Sequence, residues 1–83
     1  LLPSLAGVAR IGRMAVERPL RGAGWGRMVL DALLEAARAR GDRQVVLDAQ
    51  ANAQDFYRRA GFVVRGEPFV EAGINHVSMG RDL

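Results

Sequence analysis

Between Val8 and Ala49 the hydrophobic pattern changes period twice, and few folds accommodate that order. Val8, Arg10, Gly12, Met14 and Val16 alternate with Ala9, Ile11, Arg13 and Ala15, which predicts a strand over Val8–Val16. Gly12 inside it marks a bulge or a close backbone approach. From Trp25 to Arg40 the spacing becomes helical, with Trp25, Met28, Val29, Ala32, Leu33, Ala36 and Ala37 as the apolar stripe and Gly41 as the stop. Gln44–Ala49, "QVVLDA", is then short and nearly continuously apolar, as in a strand buried on both faces. Strand, helix, strand in succession forms a right-handed crossover unit, so the sheet is expected to be partly parallel.

Downstream, Ala53, Phe56, Tyr57 and Ala60 share one face of a second helix over Ala51–Ala60, which Gly61 ends. "FVVRGEPFVEAG" and "INHVSMGRDL" read as two strands joined through Gly73 and therefore antiparallel. The predicted class is α/β with a mixed, α+β-like sheet, in the order β-α-β-α-β-β. At 83 residues the chain is at most one domain with a modest core, and it has no cysteine to staple it or to act as a nucleophile. The net charge is +3 with all twelve basic residues arginine and acidic residues interspersed. That balance suits a small anionic ligand better than nucleic acid. No apolar run approaches the length of a membrane span, so neither a membrane nor nucleic acid is an expected partner.

The segment "RGAGWGRM", Arg21 to Met28, lies between the first strand and the helix. Backbone N–H groups of a glycine-rich turn converge on one concavity, and a helix N-terminus adds partial positive charge. Gly22, Gly24 and Gly26 keep Cβ atoms away from such an anion, and Arg21 adds a charge-assisted contact. The alternative is an ordinary glycine turn before a helix. A P-loop is a poor match, because Gly26 is followed by Arg27 and Met28 instead of Lys and Ser or Thr. A dinucleotide fold fits the strand order and offers Asp48 for a ribose, but the glycines run G-x-G-x-G and Glu17–Arg21 intervene before them.

"RGAGWG" instead resembles the pyrophosphate loop of the GNAT acyltransferases: Gln or Arg, two residues, Gly, one residue, Gly or Ala, positions filled by Arg21, Gly24 and Gly26. "AQDFYRRAGF" is similar to that family's second signature, a Tyr near the end of a short helix followed by Gly-Phe, and "FVEAGINHVSM" resembles the ElaA-like branch. The resemblance implies the C-terminal half of a GNAT acyl-CoA N-acyltransferase fold, a partial domain over 1–83 whose N-terminal strands and helices are absent, so that these 83 residues are expected to be the tail of a longer polypeptide.

The resemblance further implies acetyl-CoA as co-substrate. Backbone groups of Met14, Ala15 and Val16 would pair with its pantetheine arm. Amides of Gly22, Ala23, Gly24, Trp25, Gly26 and Arg27, beside Arg21, would hold its pyrophosphate. Gln50 stands where many relatives carry an Asn that contacts the cofactor. In the family the first strand splays from the one beginning at Val45, the cofactor arm enters the gap, and a freed backbone N–H polarises the acyl carbonyl. The implied reaction is acetyl transfer to a primary amine, of a small molecule or a peptide, by direct attack. No metal is implied.

Transfer to an amine needs a proton accepted and a proton returned. Tyr57 is the candidate acid, because a phenol stays protonated at neutral pH, the alternative being core packing. The base is open among Glu17, Asp48, Glu71, His76 and water. His76 carries the side-chain type suited to proton exchange near neutrality, and Glu71 is the second candidate in the terminal strand pair. Trp25 fits helix-start packing better than a substrate platform. Arg58 and Arg59 read as a solvated helix end or, less simply, as neighbours of the cofactor's nucleotide. The rival classes are a noncatalytic acyl-CoA-binding module and a dinucleotide-dependent oxidoreductase. A cytoplasmic setting is expected, and uncovered sheet and helix faces make self-association, including a homodimer, the expected behaviour of the chain alone.

Overall fold

The computed structural model describes residues 6–12 and 25–83. Strand β1 (Val8–Arg10) is followed by helix α1 (Trp25–Ala39), strand β2 (Gln44–Gln50), a single 3-10 turn (Ala51–Ala53), helix α2 (Gln54–Arg59) and strands β3 (Val63–Val64), β4 (Phe69–Glu71) and β5 (Ile74–Asp82). The sheet order is β1-β2-β5-β3, with β4 also on β5. β1 runs parallel to β2, whereas β2, β3 and β4 are each antiparallel to β5. The expected mixed sheet and the alternation of strands and helices are therefore present. Met14, Ala15, Val16, Glu17, Arg21, Gly22, Ala23 and Gly24, and with them the far end of the expected first strand and most of the glycine loop, lie outside the described residues.

Both helices cover the same face of the sheet. Ala9 and Ile11 of the first strand region, Leu30, Leu34 and Ala37 of α1, Val45, Leu47 and Ala49 of β2, Tyr57 and Ala60 of α2, then Phe62, Val77 and Met79 form one buried cluster. Register explains the sorting: Leu47 lies opposite Met79 and Ala49 opposite Val77, so one face of two neighbouring strands is apolar. The other face carries Gln44, Val46, Asp48 and Gln50 from β2 and His76 and Ser78 from β5. The expectation that Gln44–Ala49 is buried on both faces is thus corrected. Asp48 and Gln50 are exposed, because a strand can pair in parallel on one edge while only one of its faces is covered.

The phase of α1 also differs from the expected stripe. Leu30 and Leu34 are buried, whereas Met28, Val29, Ala32 and Ala36 are exposed. Apolar residues occur almost all round this helix, so spacing alone allowed two phases, and the larger leucine side chains took the core. Both helices end in the same way. Asp42 N–H donates to Ala37 O at 3.0 Å and Gly41 N–H to Arg38 O at 3.0 Å; Phe62 N–H donates to Tyr57 O at 3.0 Å and Gly61 N–H to Arg58 O at 2.9 Å. With Gly41 at φ +89° and Gly61 at +92°, these are paired Schellman closures.

"FVVRGEPFVEAG" is two short strands rather than one. Arg65 N–H still donates to Ser78 O at 2.8 Å, but Gly66 at φ +145° turns the backbone away and Pro68 has no N–H to give the ladder. The second helix is likewise shorter than Ala51–Ala60, its first turn being 3-10. Glu71 pairs with Ile74 across a two-residue turn, Ala72 and Gly73, both at positive φ, which gives the antiparallel hairpin expected at Gly73.

Candidate active site

Two features of the sheet place the candidate residues. The first is the end of the β1–β2 ladder among the described residues. Val8, Ala9 and Arg10 pair with Gln44, Val45 and Val46, and the last bond of this ladder is Ile11 N–H to Val46 O at 3.0 Å. β2 continues four residues past that point, Leu47 to Gln50, with no β1 partner among the described residues. Gly12, expected to loosen the strand, follows the last bond directly and is exposed.

The second feature is the row in which β2 ends. Gln50 lies directly opposite His76 on the open face, and His76 is opposite Phe69 on its other side. Phe69 stacks on the imidazole at a centroid distance of 5.6 Å and an interplanar angle of 19°. His76 Nδ1 lies 2.8 Å from Ile74 O, a carbonyl that can only accept. Nδ1 therefore carries the proton, and in the neutral ring Nε2 is the basic nitrogen. Glu71 is exposed at the hairpin end, on the same face as His76. Phe69 was not among the candidates, although counting back from a two-residue turn at Ala72–Gly73 pairs it with His76.

Asp48, one of the carboxylates considered as a base, is already engaged. Its Oδ2 accepts from Arg10 Nη2 at 2.7 Å and its Oδ1 from Ser78 Oγ at 3.1 Å.

Tyr57 sits on the opposite, covered face. Its residue surface is only 4% exposed, and its ring meets Phe56 edge-on at 5.1 Å and Phe62 at 5.9 Å. The Schellman closure of α2 produces the second contact, because it folds Phe62 back over Tyr57. The tyrosine is thus part of the buried cluster that includes Leu47 and Ala49 of β2 and Val77 and Met79 of β5.

At the start of α1, Gly26 is buried and the first turn contains no acidic residue. The first amides of a helix have no intrahelical acceptor, so this turn presents N–H groups without a competing carboxylate. The Arg27 side chain is turned to other work: Nε donates to Asp31 at 3.0 Å and Nη1 to Arg59 O at 3.2 Å, tying α1 to the end of α2. Arg58 similarly binds Asp55 and Gln54 within its own helix. Among the described residues no group of His, Cys, Asp and Glu could hold a metal ion, and no helix is long and apolar enough to cross a membrane.

Residues 4–83 match the family model described as the Acetyltransferase (GNAT) domain. The chain belongs to the GNAT family. Among its relatives, Escherichia coli ElaA is 38% identical over 74 residues, which is 88% of this chain and 48% of ElaA. The crystal structure of that ElaA superposes with a TM-score of 0.76 at 37% identity, covering 87% of this chain and 49% of the other. A Lactobacillus plantarum structure reaches a TM-score of 0.88 at 36% identity, over 98% of this chain and 56% of that one. A Bacillus subtilis acetyltransferase crystallised in complex with CoA has a TM-score of 0.78; at 20% identity that likeness shows the fold alone.

The GNAT fold and the ElaA-type resemblance expected from "RGAGWG", "AQDFYRRAGF" and "FVEAGINHVSM" therefore hold. The chain spans about half the length of the curated relatives it matches. The dinucleotide reading is displaced, since the family match covers the glycine loop itself.

Proposed function

We propose that this chain carries the acyl-CoA side of an N-acyltransferase that moves an acetyl group from acetyl-CoA to a primary amine. The observation that supports this reading is where the described ladder ends: its last bond is to Val46, and four residues of β2 run on, with no β1 partner among the described residues, to the row that holds Gln50 and His76. An unpaired length of strand edge suits an extended arm that can accept and donate backbone hydrogen bonds. The α1 first turn, free of carboxylates, suits the pyrophosphate, with Arg21 and the glycines from Gly22 to Gly26 leading into it.

When bound, acetyl-CoA supplies the acetyl group as a thioester. His76 takes a proton from the acceptor ammonium at Nε2, the nitrogen left basic by the Ile74 carbonyl, and Phe69 fixes the plane of the ring. Tyr57 donates its phenolic proton to the departing sulfur, its ring held by Phe56 and Phe62. A backbone N–H freed where the first strand departs polarises the acyl carbonyl. The amine nitrogen forms the new C–N bond as the C–S bond breaks, its second proton restores the Tyr57 phenol while His76 returns the first to solvent, and no covalent enzyme intermediate is needed. The acceptor is a small-molecule or peptide amine.

Thiol release from acetyl-CoA across a panel of amines tests this reading. Turnover with at least one primary amine is expected, and binding of acetyl-CoA without turnover on any amine would favour a noncatalytic acyl-CoA-binding module. Tyr57→Phe is expected to retain acetyl-CoA affinity while lowering kcat at least about tenfold, within the range of general acid catalysis. Unchanged kcat removes Tyr57 from the mechanism.

A further inference from the structure

We infer that Arg27 and Arg81 form a clamp on the C-terminus of α2 that positions Tyr57 for proton donation. The inference rests on the N-acyltransferase reading above. A helix leaves its last carbonyls without intrahelical donors, and α2 shows how each is met. Tyr57 O accepts from the N–H groups of Ala60 and Phe62 at 3.0 Å, and Arg58 O from Gly61 N–H at 2.9 Å. Arg59 O and Ala60 O lie outside that closure. Each is taken by a guanidinium from a distant element: Arg59 O by Arg27 Nη1 of α1 at 3.2 Å, and Ala60 O by Arg81 Nη1 of β5 at 2.8 Å. A cation at a helix C-terminus is favoured on charge as well.

One arm of the clamp comes from the helix layer and the other from the sheet. Arg27 stands in the first turn of α1, where Asp31, one turn on, holds its Nε at 3.0 Å and so orients the guanidinium toward α2. Arg81 lies opposite Val45, and Gly61 admits it, since a Cβ there would stand 3.2 Å from its Nε. Tyr57 is at the hub of the clamped turn: its carbonyl takes two of the closing bonds and its ring packs edge-on to Phe62. A displacement of the helix end therefore moves the phenol. The clamp fixes that phenol relative to the α1 first turn, read above as the pyrophosphate end, and to β5, which carries the proposed base. Arg27 and Arg81 are positioning residues, because their guanidiniums are engaged with backbone carbonyls of α2.

The test uses the full-length protein and compares kcat with the KM for acetyl-CoA, each variant being assayed below its unfolding midpoint. Arg27→Met and Arg81→Met are each expected to lower kcat about three- to tenfold, with the KM within about twofold of wild type, because the misplaced group acts only in transfer. Arg27→Lys and Arg81→Lys, which keep a cationic donor, are expected to recover most of kcat. In a Tyr57→Phe background the same Met substitutions are expected to lower kcat no further, since the phenol they would misplace is gone. A purely structural role would slow both backgrounds alike. Should Arg81→Met fail to fold, the more exposed Arg27 carries the same comparison. Wild-type kcat in both single variants, or losses that multiply with that of Tyr57→Phe, would overturn the clamp. Unchanged kcat in Tyr57→Phe itself would instead sink the acid role of Tyr57, and the clamp's part in catalysis with it. Absence of turnover by the wild type on every amine would sink the transfer reading.

Discussion

Gly61 and Gly41 close their helices with the same left-handed backbone but stand in different surroundings. A Cβ on Gly61 would lie 3.2 Å from Cδ and Nε of Arg81, whose Nη1 donates to Ala60 O at 2.8 Å, whereas a Cβ on Gly41 would meet nothing within 4 Å. Gly41→Ala is therefore expected to cost only the backbone term, about 1 kcal/mol. Gly61→Ala is expected to cost about 2 kcal/mol or more, because the same term is joined by displacement of Arg81 from the closure that seats Phe62 on Tyr57. Urea unfolding of the two variants checks the order, and equal losses would show that Arg81 gives way freely. The positive φ at both glycines was legible from their places after apolar helical runs. The Arg81 contact was not, since it joins residues 20 apart in sequence through the sheet.

At the scale of the element, the phase of α1 is the sharpest departure from the reading of spacing. Of the expected stripe Ala37 is buried and Leu33 partly so, while Met28, Val29, Ala32 and Ala36 are exposed; packing on the covered face of the sheet selects Leu30, Leu34 and Ala37. Leu34→Ala is expected to destabilise by about 2–5 kcal/mol, the usual range for a core leucine. Met28→Ala is expected to stay within about 0.5 kcal/mol, since Met28 is 62% exposed. Denaturant midpoints at equal m-values decide between the two phases, and a larger loss at Met28 would reverse the assignment. The terminal strands show the same division. Gly73 marked the hairpin, but the break between β3 and β4 depended on Gly66 and Pro68 acting against a ladder whose partner, β5, is fixed only in the folded sheet.

For the whole molecule, one covered sheet face leaves apolar surface elsewhere: Met28 and Val29 on α1, and Val63, Val64, Val70 and Ile74 on β3, β4 and β5, are each at least 40% exposed. The 83-residue chain in isolation is therefore expected to associate with itself, with sedimentation velocity showing mass that rises with concentration. A sharp, concentration-independent monomer transition in thermal melts would refute this. The sequence by itself determined the alternation of strands and helices, the ends of both helices, the hairpin and, through Arg21, Gly24, Gly26, Tyr57 and Gly61-Phe62, the family. These are local matters, set by hydrophobic period, glycine dihedrals and motif spacing. Tertiary structure alone decided which stripe of α1 is buried, that β2 has an open face, that the described β1 ladder ends at Val46, that His76 stacks on Phe69 and that Asp48 is bound from two other strands. Each of those depends on register between segments distant in the chain, and register is set by the packing of the whole sheet rather than by any one segment's pattern.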